Sequence, residues 1–180
     1  RMKEGIGLVT KNEECFLAFK LANETMQKQY NWTNKSTLKW RPFQIAFFLL
    51  TLTSLVKPDH KDRNTLDLLW FPTGGGKTEA YLLISAFIIF FRRMRLFEKK
   101  KFPGIAIIMR YTLRTLTVQQ FQRACKMIVA AEIIRRKNKN KIKGEEKFSI
   151  GLWVGDAATP NRLDVAIQKL DSLDGSSPVQ

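Results

Sequence analysis

Residues 70–80, Trp70-Phe71-Pro72-Thr73-Gly74-Gly75-Gly76-Lys77-Thr78-Glu79-Ala80, concentrate the chemistry of this sequence. An apolar run, Leu66 to Phe71, enters a glycine loop, and a long apolar-rich segment leaves it. Strand, glycine loop and helix in that order are the context of a phosphate-binding loop. Glycines let the backbone wrap a phosphate chain, and the helix start adds free N–H groups and the positive end of its dipole. Thr73, Gly74, Gly75, Gly76, Lys77, Thr78 and Glu79 are the nucleotide-site candidates, with Lys77 and Thr78 as the catalytic pair. Lys77 is expected to reach the β- and γ-phosphates and the Thr78 hydroxyl to ligate Mg²⁺, so ATP and Mg²⁺ are the expected cofactors. The glycine usual five residues before Gly76 is replaced by Phe71, which argues against a kinase or small GTPase more than against a phosphate loop.

A second group follows the apolar run 104–109. Arg110, Thr112, Arg114 and Gln119 fall in the loop and helix start there, and Gly155 falls in the loop after the run 148–154. Were both runs parallel strands, these loops would share the sheet edge with the glycine loop, where ligands gather. Arginines, hydroxyls and backbone N–H groups there suit a nucleic-acid backbone, which they would position without reading its sequence. The plainer reading of Arg110 and Arg114 is a salt bridge elsewhere in the fold.

These residues need elements to place them. Phe16, Phe19, Ala22 and Met26 recur at helical spacing and predict an amphipathic helix over 12–30. Pro42 opens a second helix reaching about Val56, since proline suits the first turn. Polar loops fill 31–40 and 57–64. Strands are predicted at 65–71, 104–109 and 148–154, and helices at 77–98, 115–136 and 161–171. The strands read as continuous apolar runs, the pattern of a parallel sheet covered on both faces. A doubly wound α/β domain follows from the alternation. It occupies 65–180, behind a helical segment over 1–64.

Composition narrows the class. A chain of 180 residues with 44% hydrophobic and 26% charged residues can bury a real core. The net charge of +15 and pI near 10.1 predict a polyanionic partner, nucleic acid before an anionic membrane. Six Lys/Arg against one Glu over 92–101, and seven against two over 135–147, supply most of that excess. Both clusters end a helix that starts at the ligand edge, so they are expected as solvated helix ends at the opposite edge, with a binding patch for a neighbouring domain as the alternative. Cys15, Cys125 and His60 lack metal-ligand spacing, so no zinc site is expected. Reduced thiols, no apolar leader and no run long enough for a bilayer predict a cytoplasmic protein without a membrane partner.

Several strings resemble a known family. Thr112-Leu113-Arg114-Thr115-Leu116-Thr117-Val118-Gln119 is similar to motif Ia of superfamily 2 helicases, with Arg114, Leu116 and Gln119 matching and Thr112 and Leu113 departing. The loop without its leading glycine has the form found in those helicases. Arg41-Pro42-Phe43-Gln44 resembles their Q-motif region, which implies an adenine contact for Gln44; the plain alternative is a residue on the helix surface. Gly155 falls where the family places motif Ib. Residues 41–44, 68–82, 109–114, 119–124 and 150–155 together resemble the DrmA-type helicases of bacterial DISARM antiphage systems. The resemblance implies a P-loop NTPase with a RecA-like parallel sheet, flanking helices and preceding N-terminal helices. It also implies ATP-dependent action on DNA, with RNA left open, a second RecA-like domain in the same polypeptide, and other defence-system subunits as partners. No acidic box follows an apolar run anywhere in the sequence, so the chain reads as an incomplete motor domain, cut before motif II. It is expected to bind nucleotide and hydrolyse little. Two other classes fit the charge and loop: a P-loop switch or phosphotransferase that is no motor, and a non-enzymatic basic module for nucleic acid.

Overall fold

The computed structural model describes residues 1–72, 74–98, 104–111, 114–153, 160 and 162–172, with the backbone alone at 96–98, 114–116 and 169–172. They form two compact units, Arg1–Ile150 and Gly151–Gln180. The first holds α1 (Met2–Lys11), α2 (Glu13–Asn31), α3 (Pro42–Val56), a 3-10 turn (Lys61–Asn64), α4 (Lys77–Glu98) and α5 (Arg114–Lys137); the second holds α6 (Leu163–Ser172).

No strand occurs among the described residues, which overturns the expected RecA-like α/β sheet in favour of a helical fold. The three apolar runs are present as backbone without a ladder. Leu66, Leu68 and Trp70 are 93%, 83% and 85% exposed, and Ile105 and Ile108 are 79% and 83% exposed. A strand exists only where a neighbour supplies partners for its N–H and C=O groups. An apolar run states a preference for burial and leaves that neighbour unspecified.

The helices do follow the sequence. Asn12 separates α1 from α2: its N–H donates to Leu8 O at 3.1 Å, and its side chain accepts the Cys15 N–H at 2.8 Å. The buried stripe of α2 is Cys15, Ala18, Leu21, Ala22, Thr25 and Met26. It is turned from the expected one, since Phe16 is exposed and Phe19 only borders the core. Small residues at 15, 18 and 22 let α2 lie close against α4, its main neighbour. Burial also pushes the Cys15 thiol up to about 11, which leaves it protonated and inert.

From α4 come Leu82, Leu83, Ala86, Phe87, Phe90 and Phe91. Phe48 of α3 sits between Phe19 at 5.0 Å and Phe87 at 5.3 Å, ring centre to ring centre. Burying each such ring stabilises the fold by roughly 2–3 kcal/mol. Gly5 of α1 meets α3 so closely that a Cβ there would lie 2.1 Å from Leu49 O.

The basic clusters divide into buried and solvated parts. Arg93 and Arg135 are buried, and together they pin the chain after α5. Arg93 Nη1 donates to Glu146 O at 2.8 Å, and its guanidinium lies 5.0 Å from the Phe148 ring centre. Arg135 donates to Gly144 O at 2.7 Å and grips both carboxylate oxygens of Glu132 at 2.7 and 2.8 Å. Glu132 also accepts the Phe148 N–H at 3.2 Å. The cluster over 135–147, expected as a solvated helix end, is therefore in part anchored to the core. Ile142 is buried within it while Lys139, Lys141, Lys143 and Lys147 stay exposed.

Candidate functional site

The glycine loop meets the N-terminus of α4, a helix of 22 residues. Gly74 and Gly76 have φ of 78° and 89°, a left-handed conformation that other residues adopt only under strain. The Gly75 N–H closes a turn onto Pro72 O at 3.1 Å. A Cβ at Gly75 would lie 2.8 Å from Phe71 Cδ1, and one at Gly76 would lie 2.8 Å from Gln44 Nε2. The three glycines thus serve two needs, left-handed backbone at Gly74 and Gly76 and a close approach at Gly75 and Gly76.

Phe71, which stands where a glycine is usual, stacks on Phe43 at 4.0 Å with the rings 17° apart. The start of α3 therefore supports the loop's entry through an aromatic pair. Two further residues of the same α3 start hold the loop's carbonyls. Arg41 Nη1 donates to Gly75 O, and Gln44 Nε2 to Gly76 O, both at 2.8 Å. Gln44 Oε1 accepts the Arg41 N–H at 2.8 Å, capping α3. Gln44 is buried, with donor and acceptor both engaged. An adenine at this side chain would have to compete with those bonds.

Lys77 Nζ donates to Phe71 O at 2.5 Å and Pro72 O at 3.0 Å. Its ammonium folds back across the loop that a phosphate would enter. Thr78 is half-buried on the first turn of α4. Glu79 is ion-paired with Arg123 of α5. Near that pair, burial raises the Tyr111 hydroxyl above its ordinary range, with the Arg123 charge opposing the shift. Arg123 is a residue that sequence reasoning missed. It lay within the 119–124 string of the resemblance, but nothing in the sequence pairs it with Glu79.

Of the other candidates, Arg110 and Gln119 are exposed on either side of the α5 start. Arg114 opens α5 and is described by its backbone alone. Thr73, Thr112 and Gly155 lie outside the described residues.

The loop fits a phosphate chain, since its glycine backbone is shaped by left-handed turns and ends on a long helix. Among the described residues no three His, Cys, Asp or Glu side chains gather as metal ligands. A Mg²⁺ ion bound here would be carried mainly by phosphates and water, with the Thr78 hydroxyl as the candidate protein ligand. No described helix is long and apolar enough to cross a membrane.

Fold and site together define a helical protein with a glycine loop at the start of its central helix. The chain is 45% identical over a 184-residue alignment to the DISARM protein DrmA of Bacillus paralicheniformis, a match covering 91% of this chain. It is thus DISARM-related over nearly all its length, and it spans 16% of the length of that relative. No family model and no solved structure matches it.

Proposed function

We propose that this chain is the ATP-binding part of an ATP-dependent superfamily 2 DNA helicase or translocase in a DISARM antiphage system. The observation that supports it most is the glycine loop, with Gly74 and Gly76 left-handed and Lys77 poised at the start of α4. The likeness to a DISARM protein supports the defence setting.

In the proposed binding step, backbone N–H groups of Gly74 and of 76–78 take the phosphate oxygens at the helix N-terminus, while the Gly75 N–H stays on Pro72 O. Lys77 leaves the carbonyls of Phe71 and Pro72 and pairs with the β- and γ-phosphates. The Thr78 hydroxyl would hold Mg²⁺, which would supply neutralisation of the charge developing on the phosphates. Arg41 and Gln44 keep Gly75 and Gly76 in place while this exchange occurs. Hydrolysis also needs an acidic group for the metal and water and an arginine for transition-state charge. No acidic box follows an apolar run in this sequence, so those groups are assigned to the remainder of the polypeptide, including its second motor domain. Arg110, Thr112, Arg114, Gln119 and Gly155 are the proposed DNA-backbone contacts.

The test is Lys77→Ala with ATP binding followed by calorimetry. Affinity is expected to fall by about 100-fold or more, as phosphate contacts to a charged group are lost. Unchanged affinity would sink the proposal. The exposed lysines of the anchored 138–147 segment favour a second reading, a basic module that needs no nucleotide. Under that reading, neutralising Lys139, Lys141 and Lys143 abolishes salt-sensitive DNA binding and Lys77→Ala leaves it intact.

A further inference from the structure

We infer that a pocket between the second half of α2, the 32–40 loop and the end of α5 binds a base and adjoining phosphates of a single-stranded nucleic acid. The pocket has a volume of about 710 Å³, within the range that takes a small-molecule-sized ligand. Trp40 forms one wall. It packs against the core, and its Nε1–H donates to Asn23 Oδ1 at 2.8 Å, so its indole is fixed. Trp32 caps α2 and stands on the rim, 44% exposed.

The loop between them is tied down. Gln27 Oε1 accepts the Leu38 N–H at 2.9 Å. Its Nε2 donates to Asn31 Oδ1 at 2.6 Å and reaches Ser36 O at 3.5 Å. These bonds hold the pocket's shape without a guest.

Charge selects the ligand. Lys28 lies one helical turn before Trp32 on α2, and Lys137 ends α5; both line the pocket. Neither joins a salt bridge found among the described residues. Glu24 also lines the pocket and is exposed. Two ammonium groups against one carboxylate leave a net positive mouth beside an exposed indole face. An aromatic face flanked by cations is a stacking platform for a base with its phosphates. Every base has a face to stack, so binding is insensitive to sequence, and paired bases in a duplex are not free to enter. The inference rests on nucleic acid being the polyanionic partner, as proposed above, and does not involve the glycine loop.

The test measures anisotropy of a fluorescein-labelled oligo(dT) of about 12 nucleotides, a length that spans one such site, with the 180-residue chain. Trp32→Ala is expected to weaken binding about tenfold, and Trp32→Phe to restore most of it. Lys28→Gln and Lys137→Gln should each flatten the salt dependence by about 0.7 in log–log slope. Trp32 is partly exposed, so thermal unfolding of its variants should match the parent. Oligo(dT) binding that ignores Trp32→Ala and both lysine changes overturns the inference, as does a loss by Trp32→Phe equal to that of Trp32→Ala. A duplex bound as tightly as the single strand, with the same loss on Trp32→Ala, also overturns it. Lys77→Ala separates the two proposals. If it retains ATP binding while Trp32→Ala still weakens oligo(dT), the ATP reading fails and this one stands.

Discussion

Gln44 shows how a residue remote from any phosphate can govern a phosphate loop. One amide caps α3 and holds Gly76 O, so the helix start and the loop share a single side chain. Gln44→Ala leaves a part-buried carbonyl and a helix-cap N–H without their protein partner, at a cost of about 1–2 kcal/mol. The expected outcome is a lower urea midpoint together with weaker ATP binding; loss of neither would show that the loop holds its shape alone. Glu132 makes a prediction about pH. The Arg135 guanidinium beside it holds its carboxyl down to about 2 against the effect of burial, helped by Arg136 and the Phe148 N–H. Its folded pKa lies below the ordinary value of about 4.3. The unfolded chain therefore binds the proton more readily, and the stabilisation is complete above that ordinary value and drains as pH falls towards 2. Glu132→Gln should cost about 2 kcal/mol at pH 7 and progressively less from pH 4 downward in urea titrations.

At the scale of elements, the helices were legible because their signals are local. Pro42 sets the first turn of α3, which ends at Val56 as expected. The spans predicted at 77–98 and 115–136 become Lys77–Glu98 and Arg114–Lys137. Helix α1 was missed, since Met2–Lys11 is short and carries two glycines, which lower helix propensity. One of those glycines is what packs it. Gly5→Ala would drive a methyl into the Leu49 carbonyl, so α1 must shift away from α3. A loss of roughly 1–3 kcal/mol is expected by thermal unfolding, whereas Gly7→Ala, with open space around it, should be neutral or stabilising. The phase of α2 was misjudged for a related reason. Large rings mark an apolar stripe in a sequence, but small residues at 15, 18 and 22 are what admit a neighbouring helix.

For the whole molecule, the exposed apolar runs have a consequence. Leu66, Leu68, Trp70, Ile105 and Ile108 present bare apolar surface in the unit Arg1–Ile150. Such surface favours association. Light scattering of this chain alone should report concentration-dependent self-association, and Leu66→Ser with Ile108→Ser should reduce it without lowering the melting temperature. Unchanged scattering would place the association elsewhere. The sequence by itself determined the glycine loop, the long helix behind it, the positions of most helices and the basic charge, because each depends on residues near one another in the chain. Only the tertiary structure decided that the apolar runs find no ladder among the described residues. It alone showed Arg93 and Arg135 buried as anchors, Phe71 stacked on Phe43, and Gln44 bound to Gly76 O. Pairing, burial and stacking depend on what a distant part of the chain brings alongside, and periodicity does not encode that neighbour.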